Sequence, residues 1–468
     1  VSLLALLVSA AFVVYWMIRI NGEDGTGTIQ LLNHAYRVDD FANFMKLLLL
    51  GGTALVIFLS LRFHQEKEIP HTGEYYYLFL PATLGAMMMS SSGDLITLYV
   101  GLELLSITSY IMAGLRKGDQ KSNEAAFKYI VNGSIASAFI LYGMSFLYGM
   151  SGTTNLMEIR SAIAVFDPSF SALLYVSAFL MIGGFGFKIA AAPFHAWAPD
   201  VYQGSPSPVA AYLATVSKAA SIAIMFRIFF NVYWGIGNSD MPIYNDVYLG
   251  IAIMAAASMI IGTAMALRQR NMRRLLALSG VANAGYLLVP LAVEFGDPSF
   301  SVHFSNFTEM FYYLLAYLFM NIGAFAVLMA VSRTAGHEEM KGFAGLYYRA
   351  PYTAVAMTIL LLSLAGLPVT GGFFGKIYIL LGAIQVHYYW LAAVMIATSV
   401  ASYYYYFAII RQMYMRTDAE HSGLALNAPI GITIWICAAA SVLLGLFPRW
   451  IIQYIESIYS IWEDFFIL

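Results

Sequence analysis

Four charged side chains sit where the sequence offers them no water. They are Glu103 in Tyr99-Val-Gly-Leu-Glu103-Leu-Leu, Lys188 in Gly186-Phe-Lys188-Ile-Ala-Ala-Ala, Lys218 in Thr215-Val-Ser-Lys218-Ala-Ala and Lys376 in Phe374-Gly-Lys376-Ile-Tyr. A charge at the centre of a bilayer costs about 2.5–3.5 kcal/mol even on a lenient insertion scale. A structural ion pair between packed helices would account for one lysine with Glu103, but three ammonium groups against one carboxylate do not balance. Proton transfer is the chemistry that needs such groups. Desolvation disfavours a charged amine and a nearby carboxylate favours it, so a lysine in apolar surroundings can be tuned to load and release protons near neutrality. Arginine could not serve, because its guanidinium keeps its proton. The pattern predicts a relay of lysines, with Glu103 controlling the proton affinity of Lys188.

Two interruptions lie beside these lysines. Lys188-Ile-Ala-Ala-Ala-Pro193-Phe-His195-Ala-Trp-Ala-Pro199-Asp puts two prolines after the first, and Ala365-Gly-Leu-Pro368-Val-Thr-Gly371-Gly372-Phe-Phe-Gly-Lys376 puts one proline, and three glycines after it, before the last. A proline kink that only shapes packing is the plainer reading of each. Broken helices in corresponding positions of two halves instead mark an ion site at the interface of inverted repeats, and a titratable lysine beside each break favours that reading. Lys128, near a helix start, reads either as a side chain snorkelling to the headgroups or as part of proton uptake. His195, after the first break, reads either as a hydrogen-bonded loop histidine or as a linker between lysines.

The elements that must hold these residues are membrane helices. Of 468 residues, 60% are apolar and 11% charged, with a mean hydropathy of +0.72; a soluble domain carries about 25% charged residues. That excludes a soluble globular enzyme and a disordered chain. Apolar runs of the roughly 20 residues needed to cross a bilayer fall near 2–20, 43–61, 75–92, 94–114, 124–148, 171–191, 207–231, 247–267, 274–294, 308–332, 352–385, 389–411 and 428–447. About thirteen crossings result, counting each interrupted one once. Fourteen Lys and Arg residues, among them Arg62, Lys67, Arg268, Arg274 and Arg416, fall on one set of alternate connections. Arg19, Arg37, Lys46, Arg160, Arg227 and Arg449 fall on the other. The excess places the first set on the cytoplasmic side. Trp450 to Leu468, with apolar residues at helical spacing and three acids, is expected along the interface. The sequence starts at Val1 inside an apolar run, so a further N-terminal helix is expected before it.

Other signals carry less. A net charge of −2 offers no basic surface to nucleic acid. The lone Cys437 cannot hold an iron–sulfur cluster or a four-ligand zinc, and the eight histidines lack metal-site spacing, so no metal or redox centre is expected in this chain. Gly371-Gly-Phe-Phe-Gly-Lys376 is no phosphate loop, since its glycine spacing is one short and Ile377 stands where Ser or Thr is needed. Tyr403 to Tyr406 reads as helix packing and interfacial belt.

Taken together, Gly101-Leu-Glu103-Leu-Leu-Ser, Phe187-Lys188 through Pro193 to Trp197-Ala-Pro-Asp200-Val-Tyr-Gln-Gly-Ser-Pro-Ser-Pro208, Ser217-Lys218-Ala-Ala, Arg273-Arg-Leu-Leu-Ala-Leu-Ser and Leu362-Ser-Leu-Ala-Gly-Leu-Pro368 to Gly375-Lys376 resemble the antiporter-like membrane subunits of respiratory complex I, and among them the subunit N branch. The resemblance implies an all-α polytopic membrane fold of fourteen helices, two inverted five-helix repeats with two broken helices, of which about thirteen are visible here. It divides the chain into N-terminal helices (1–70), a first repeat (71–231), a second repeat (246–416) and a C-terminal helix with an interfacial tail (417–468). It implies a proton-translocating subunit of an NADH-quinone oxidoreductase in a membrane, a bacterial plasma membrane being expected. Glu103 would pair with Lys188, Lys218 would relay, Lys376 would lead to the far side and Lys128 would belong to the cytoplasmic uptake. Flavin, iron–sulfur clusters and quinone are expected in partner subunits, next to other antiporter-like chains. Alternatives are a subunit of a multisubunit sodium/proton antiporter, which the Val-Tyr-Gln-Gly run disfavours, a solute transporter with a midplane pocket, and a membrane scaffold.

Overall fold

Capping residues in front of long apolar runs set where the helices begin. The computed structural model describes residues 1–22, 27–61, 72–165, 170–233, 243–293, 305–415, 424, 426–459, 464 and 465; Arg62, Lys67 and Arg416 lie outside the described residues. The chain starts with α1 (Ser2–Ile20), α2 (Asp40–Ser60), α3 (Thr72–Ser91), α4 (Leu95–Ala113) and α5 (Gln120–Ser151). Asp39 accepts from Ala42 N, Asp94 from Ile96 N and Thr97 N, and Asp119 from Lys121 N, which satisfies N–H groups that a helix start leaves free. After the short α6 (Leu156–Ala164), α7 (Ser171–Lys188) ends on its lysine. It is followed by α8 (Trp197–Gly204) and α9 (Ser207–Tyr212). A π-helical stretch, Leu213–Ser217, leads into α10 (Lys218–Ile228), and a second, Phe229–Tyr233, follows it.

The second half holds α11 (Ile243–Ala266), α12 (Met272–Ala292), α13 (Asn306–Ala335), the single turn α14 (Leu346–Arg349), the broken pair α15 (Pro351–Ala365) and α16 (Gly371–Gln385), then α17 (Tyr389–Met415), α18 (Ala428–Leu446) and α19 (Pro448–Ile458). Among the described residues, eleven helices are long and apolar enough to cross a membrane. With the more polar α3 and the α15–α16 pair they account for the thirteen expected crossings. Short elements outside the apolar runs include the amphipathic α6, α8, α14 and a small antiparallel hairpin pairing Ile29–Leu31 with Tyr36–Val38.

Burial sorts the helices into a centre and a rim. The apolar windows of Ser207–Tyr233 and Met272–Ala292 are 100% buried and that of α13 89%, whereas those of α1, α17 and α5 are 22%, 33% and 39% buried. Large apolar side chains such as Phe12, Phe127 and Tyr404 point outward, the arrangement expected when lipid is the solvent. Lys218 therefore stands on a central helix.

Two expectations are corrected. The C-terminal stretch does not simply lie along an interface: α19 is amphipathic with Ile452 and Ile455 buried, but Asp464 and Phe465 are themselves buried in the bundle. The Asp464 carboxylate accepts from Asp40 N and Phe41 N at 3.2 Å each, capping the start of α2. Arg227, assigned above to a connection, is wholly buried within α10.

Candidate functional site: three lysines on neutral oxygens

Lys188 is the last residue of α7, and its chain ends there because the following backbone cannot continue a helix. Ala190 takes φ +58° and the prolines at 193 and 199 lack an N–H. The freed backbone groups find partners inside the protein. Ala191 N bonds Gly186 O, Ala192 N bonds Ser258 Oγ on α11 at 2.8 Å, and Trp197 Nε1 donates to Phe187 O at 3.0 Å. Pro193 lines a mostly apolar cavity of about 230 Å³ with Phe187, Phe194 and Trp197. The half-buried Lys188 reaches across to α4, where its Nζ donates to Ser106 Oγ at 2.6 Å and to Tyr110 OH at 3.1 Å.

The expected contact between Lys188 and Glu103 is not made. Glu103 lies one helical turn before Ser106 on α4, within electrostatic range of the amine. Its Oε1 is buried without a hydrogen-bond partner, and no ion pair within 4.0 Å joins the two among the described residues. Residues three apart on a helix share a face, and it is Ser106 rather than Glu103 that bonds the amine.

Lys218 opens α10 directly after the π-helical stretch. Its Nζ donates to Gly280 O on α12 at 2.5 Å and to Tyr317 OH on α13 at 3.4 Å, and the residue is 2% exposed. Lys376 stands in the second turn of α16 and is 8% exposed. Its Nζ donates to Leu364 O at 2.9 Å and Ala365 O at 3.2 Å.

That contact explains the second break. A helix end leaves four carbonyls without partners. Gly366, at φ +82°, turns the chain so that its own N–H and that of Leu367 return to Leu362 O and Ser363 O, the hydrogen-bond pattern of a Schellman motif. The remaining two carbonyls, Leu364 and Ala365, are those that Lys376 takes. Pro368 then prevents the helix from resuming at once. α16 starts at Gly371 and Gly372; Gly372 N bonds Ser363 Oγ at 3.1 Å, and a Cβ on Gly372 would run into Ser363 O.

Polar groups fill the space between Lys218 and Lys376 along one face of α12. Gly280 holds Lys218, Asn283 Oδ1 accepts from Tyr313 OH at 2.5 Å, and Tyr286 lies against Lys376 with 4.8 Å from Nζ to its ring centre. Six residues of helix separate Gly280 from Tyr286, about 9 Å. Ser279 Oγ meets Tyr406 OH at 2.5 Å, so one tyrosine of the 403–406 run enters this seam while Tyr404 faces outward. On the other side, Tyr110 packs edge-on against Tyr129 with ring centres 4.7 Å apart, and Tyr129 lies near Ser217, the neighbour of Lys218.

The two remaining sequence candidates lie apart from this row. Lys128 Nζ pairs with Glu124 at 2.6 Å and Asp200 at 2.7 Å, and Asp200 also pairs with Arg274 Nη1 at 2.5 Å. This cluster is partly exposed at one end of the bundle. His195 Nε2 contacts Met265 Sδ at 3.3 Å and its Nδ1 is buried without a partner; it touches none of the lysines.

Sequence reading missed a charged group of a different kind. The guanidinium of Arg227 takes both oxygens of Asp39 at 2.6 Å, Ser90 O at 2.9 Å and Asp464 O at 3.2 Å, with Phe41 and Phe465 rings at 4.7 and 5.0 Å. The available signal was Asp39-Asp40 at a helix start on the same side of the membrane as the end of the Arg227 run.

Membrane-length helices, two of them interrupted, with amines held inside on neutral oxygens, define an antiporter-like membrane protein. Residues 92–402 match the family model described as NADH:quinone oxidoreductase/Mrp antiporter, TM. An NADH-quinone oxidoreductase subunit N from Paenibacillus sp. (strain JDR-2) is 50% identical over 477 aligned residues, covering 100% of this chain and 91% of that protein. A chain of respiratory complex I from Thermus thermophilus superposes with a TM-score of 0.78 at 29% identity, covering 97% of this chain and 92% of that one. A chain of the Mrp complex from Dietzia sp. DQ12-45-1b gives 0.83 at 20% identity over 97% and 90%, a likeness of fold alone. The chain belongs to the family of NADH-quinone oxidoreductase subunit N proteins, multi-pass proteins of bacterial membranes.

Proposed function

We propose that this chain is the proton-translocating membrane subunit of an NADH-quinone oxidoreductase, and that Glu103, Lys188, Lys218 and Lys376 form its relay. Other subunits carry the flavin, the iron–sulfur clusters and the quinone chemistry, and neighbouring antiporter-like subunits share the membrane arm. Residues 71–231 and 246–416 act as two inverted repeats, each supplying one broken helix and its lysine. One observation carries this reading: three amines lie inside the bundle on hydroxyls and carbonyls, with no carboxylate in contact. Such an amine can leave its proton without leaving a bare counter-charge behind.

Glu103 acts on Lys188 from one helical turn away. When a proton reaches or leaves the amine, Ser106 can exchange its place with the carboxylate, which strengthens or weakens the hold on the charge. Gly280, Asn283 and Tyr313 line the way from Lys218 to Lys376, and Tyr129 with Ser217 the way from Lys188 to Lys218. Lys128, paired with Asp200 beside Arg274, serves the cytoplasmic uptake side.

Lys218→Ala in the assembled complex should leave NADH:quinone turnover measurable and cut proton pumping per electron several-fold in membrane vesicles. Pumping per electron at the unsubstituted level would end the relay reading. A pumping signal that follows sodium instead of protons would favour the sodium/proton antiporter, whose relatives share this fold.

A further inference from the structure

Lys376 has no carboxylate among its contacts: two backbone carbonyls and one ring meet its nitrogen. Its ammonium has three N–H donors. Two go to Leu364 O and Ala365 O. The third side of the nitrogen faces Tyr286, whose ring centre lies 4.8 Å away. The titratable side chains that α12, α13 and α17 bring to this corner are tyrosines: Tyr286, then Tyr313 against Gly375, then Tyr403, whose hydroxyl donates to Gly366 O at 3.4 Å. From α18 comes Leu444, against Gly371.

Tyr286 is held so that its ring, not its hydroxyl, meets the amine. Its OH is engaged on the far side by Thr398 Oγ1 and Ser399 Oγ of α17, at 3.1 Å each. The ring edge stands perpendicular to Tyr313, with centres 6.3 Å apart and planes at 83°. The other two lysines differ here. Tyr110 and Tyr317 offer their hydroxyls to Lys188 and Lys218 at 3.1 and 3.4 Å, with ring centres farther off at 5.5 and 5.4 Å.

We propose that the face of Tyr286 is the counter-charge of Lys376, a positioning group that keeps this amine able to hold a proton where no carboxylate reaches it. An aromatic face carries negative quadrupole density, and it attracts an ammonium most where water is excluded. This inference rests on the relay reading above and adds to it the residue that sets proton occupancy at the last lysine.

The test uses the whole complex in membrane vesicles, reading proton pumping and NADH:quinone turnover against pH. Tyr286→Phe keeps the ring and loses the bonds to Thr398 and Ser399; it should pump as the unsubstituted complex does. Tyr286→Leu should pump several-fold less, with the alkaline limb of its pH profile moved down by about one unit. Replacing the ring by phenylalanines with one, two and three fluorines, at nearly constant shape, should move that limb in steps. A purely structural tyrosine would make Tyr286→Phe as poor as Tyr286→Leu, or leave the fluorinated series flat; either result overturns the proposal. Lys376→Ala is the separate control. If it pumps normally the relay reading fails, whereas lost pumping with a flat fluorine series removes only the role of Tyr286.

Discussion

Arg227 and the lysine row bury charge in the same bundle by opposite means. Arg227 is locked: two carboxylate oxygens of Asp39, two backbone carbonyls and two aromatic faces surround its guanidinium. Lys188, Lys218 and Lys376 rest on hydroxyls and carbonyls, and none touches a carboxylate. The difference follows from the chemistry of the two side chains. A guanidinium stays charged at any accessible pH and matches a carboxylate with two parallel bonds, which suits a fixed joint. An amine on neutral acceptors is worth little as a joint, because either protonation state can be accommodated. The Arg227 cluster ties α2, α10 and the C-terminal tail together, while the lysines keep the freedom to change protonation that the proposed relay requires.

Substitutions that exchange the two consequences would break this distinction. The largest effect is expected from Arg227→Met. Removing one partner of a buried pair leaves the other uncompensated and costs about 3–5 kcal/mol. The amount of assembled complex in membranes should fall sharply, while the surviving complex pumps the unsubstituted number of protons per electron. Lys218→Ala should do the reverse, keeping assembly and losing pumping. Normal assembly of Arg227→Met together with lost pumping would move Arg227 into the relay.

Lys376 belongs partly to both classes, which gives the second prediction. Its amine is the partner of the last two carbonyls of α15, so Lys376→Met leaves two buried acceptors unsatisfied at roughly 2–6 kcal/mol in all. Lys188→Met releases only Ser106 and Tyr110, and the Ser106 hydroxyl already donates to Leu102 O at 2.6 Å. Thermal inactivation of the purified complex should therefore come earlier for Lys376→Met than for Lys188→Met, although both lose pumping. Equal melting of the two variants would show that the helix end finds other partners.

The division also decides what a single sequence can reveal. Lysines 188, 218 and 376 stand out because each is a lone charge inside an apolar run, and the thirteen crossings stand out because lipid demands long ones. Arg227 does not stand out, since nine residues after Lys218 it falls where a run ends and an arginine ordinarily snorkels outward. Its partners Asp39 and Asp464 are 188 and 237 residues away, and only folding brings them together. The acceptors of Lys218 and Lys376 are main-chain carbonyls, which every residue has and no letter marks. Glu103 and Ser106 stand one helical turn apart in the sequence, but which of the two reaches the Lys188 amine depends on helix rotation.

The two breaks give the smallest and sharpest comparison. The first turns the chain through one left-handed residue, Ala190 at φ +58°, and the second through two, Gly366 at φ +82° and Val369 at φ +74°. That region costs an L side chain about 1–2 kcal/mol, and glycine avoids the cost. Gly366→Ala should therefore destabilise the complex by about 1–2 kcal/mol. It should also disturb pumping, because the new Cβ would stand 3.0 Å from Lys376 Cδ and crowd the amine off its carbonyls. Ala190→Gly acts in the opposite sense. It relieves the strain, the extra freedom of the unfolded chain offsets part of the gain, and the net change should be neutral to about 1 kcal/mol stabilising, with pumping intact because the Lys188 amine points away to α4. Thermal inactivation and vesicle pumping measured on the pair would separate the cases. Loss of pumping in Ala190→Gly would mean that the first break, like the second, holds its lysine through the backbone.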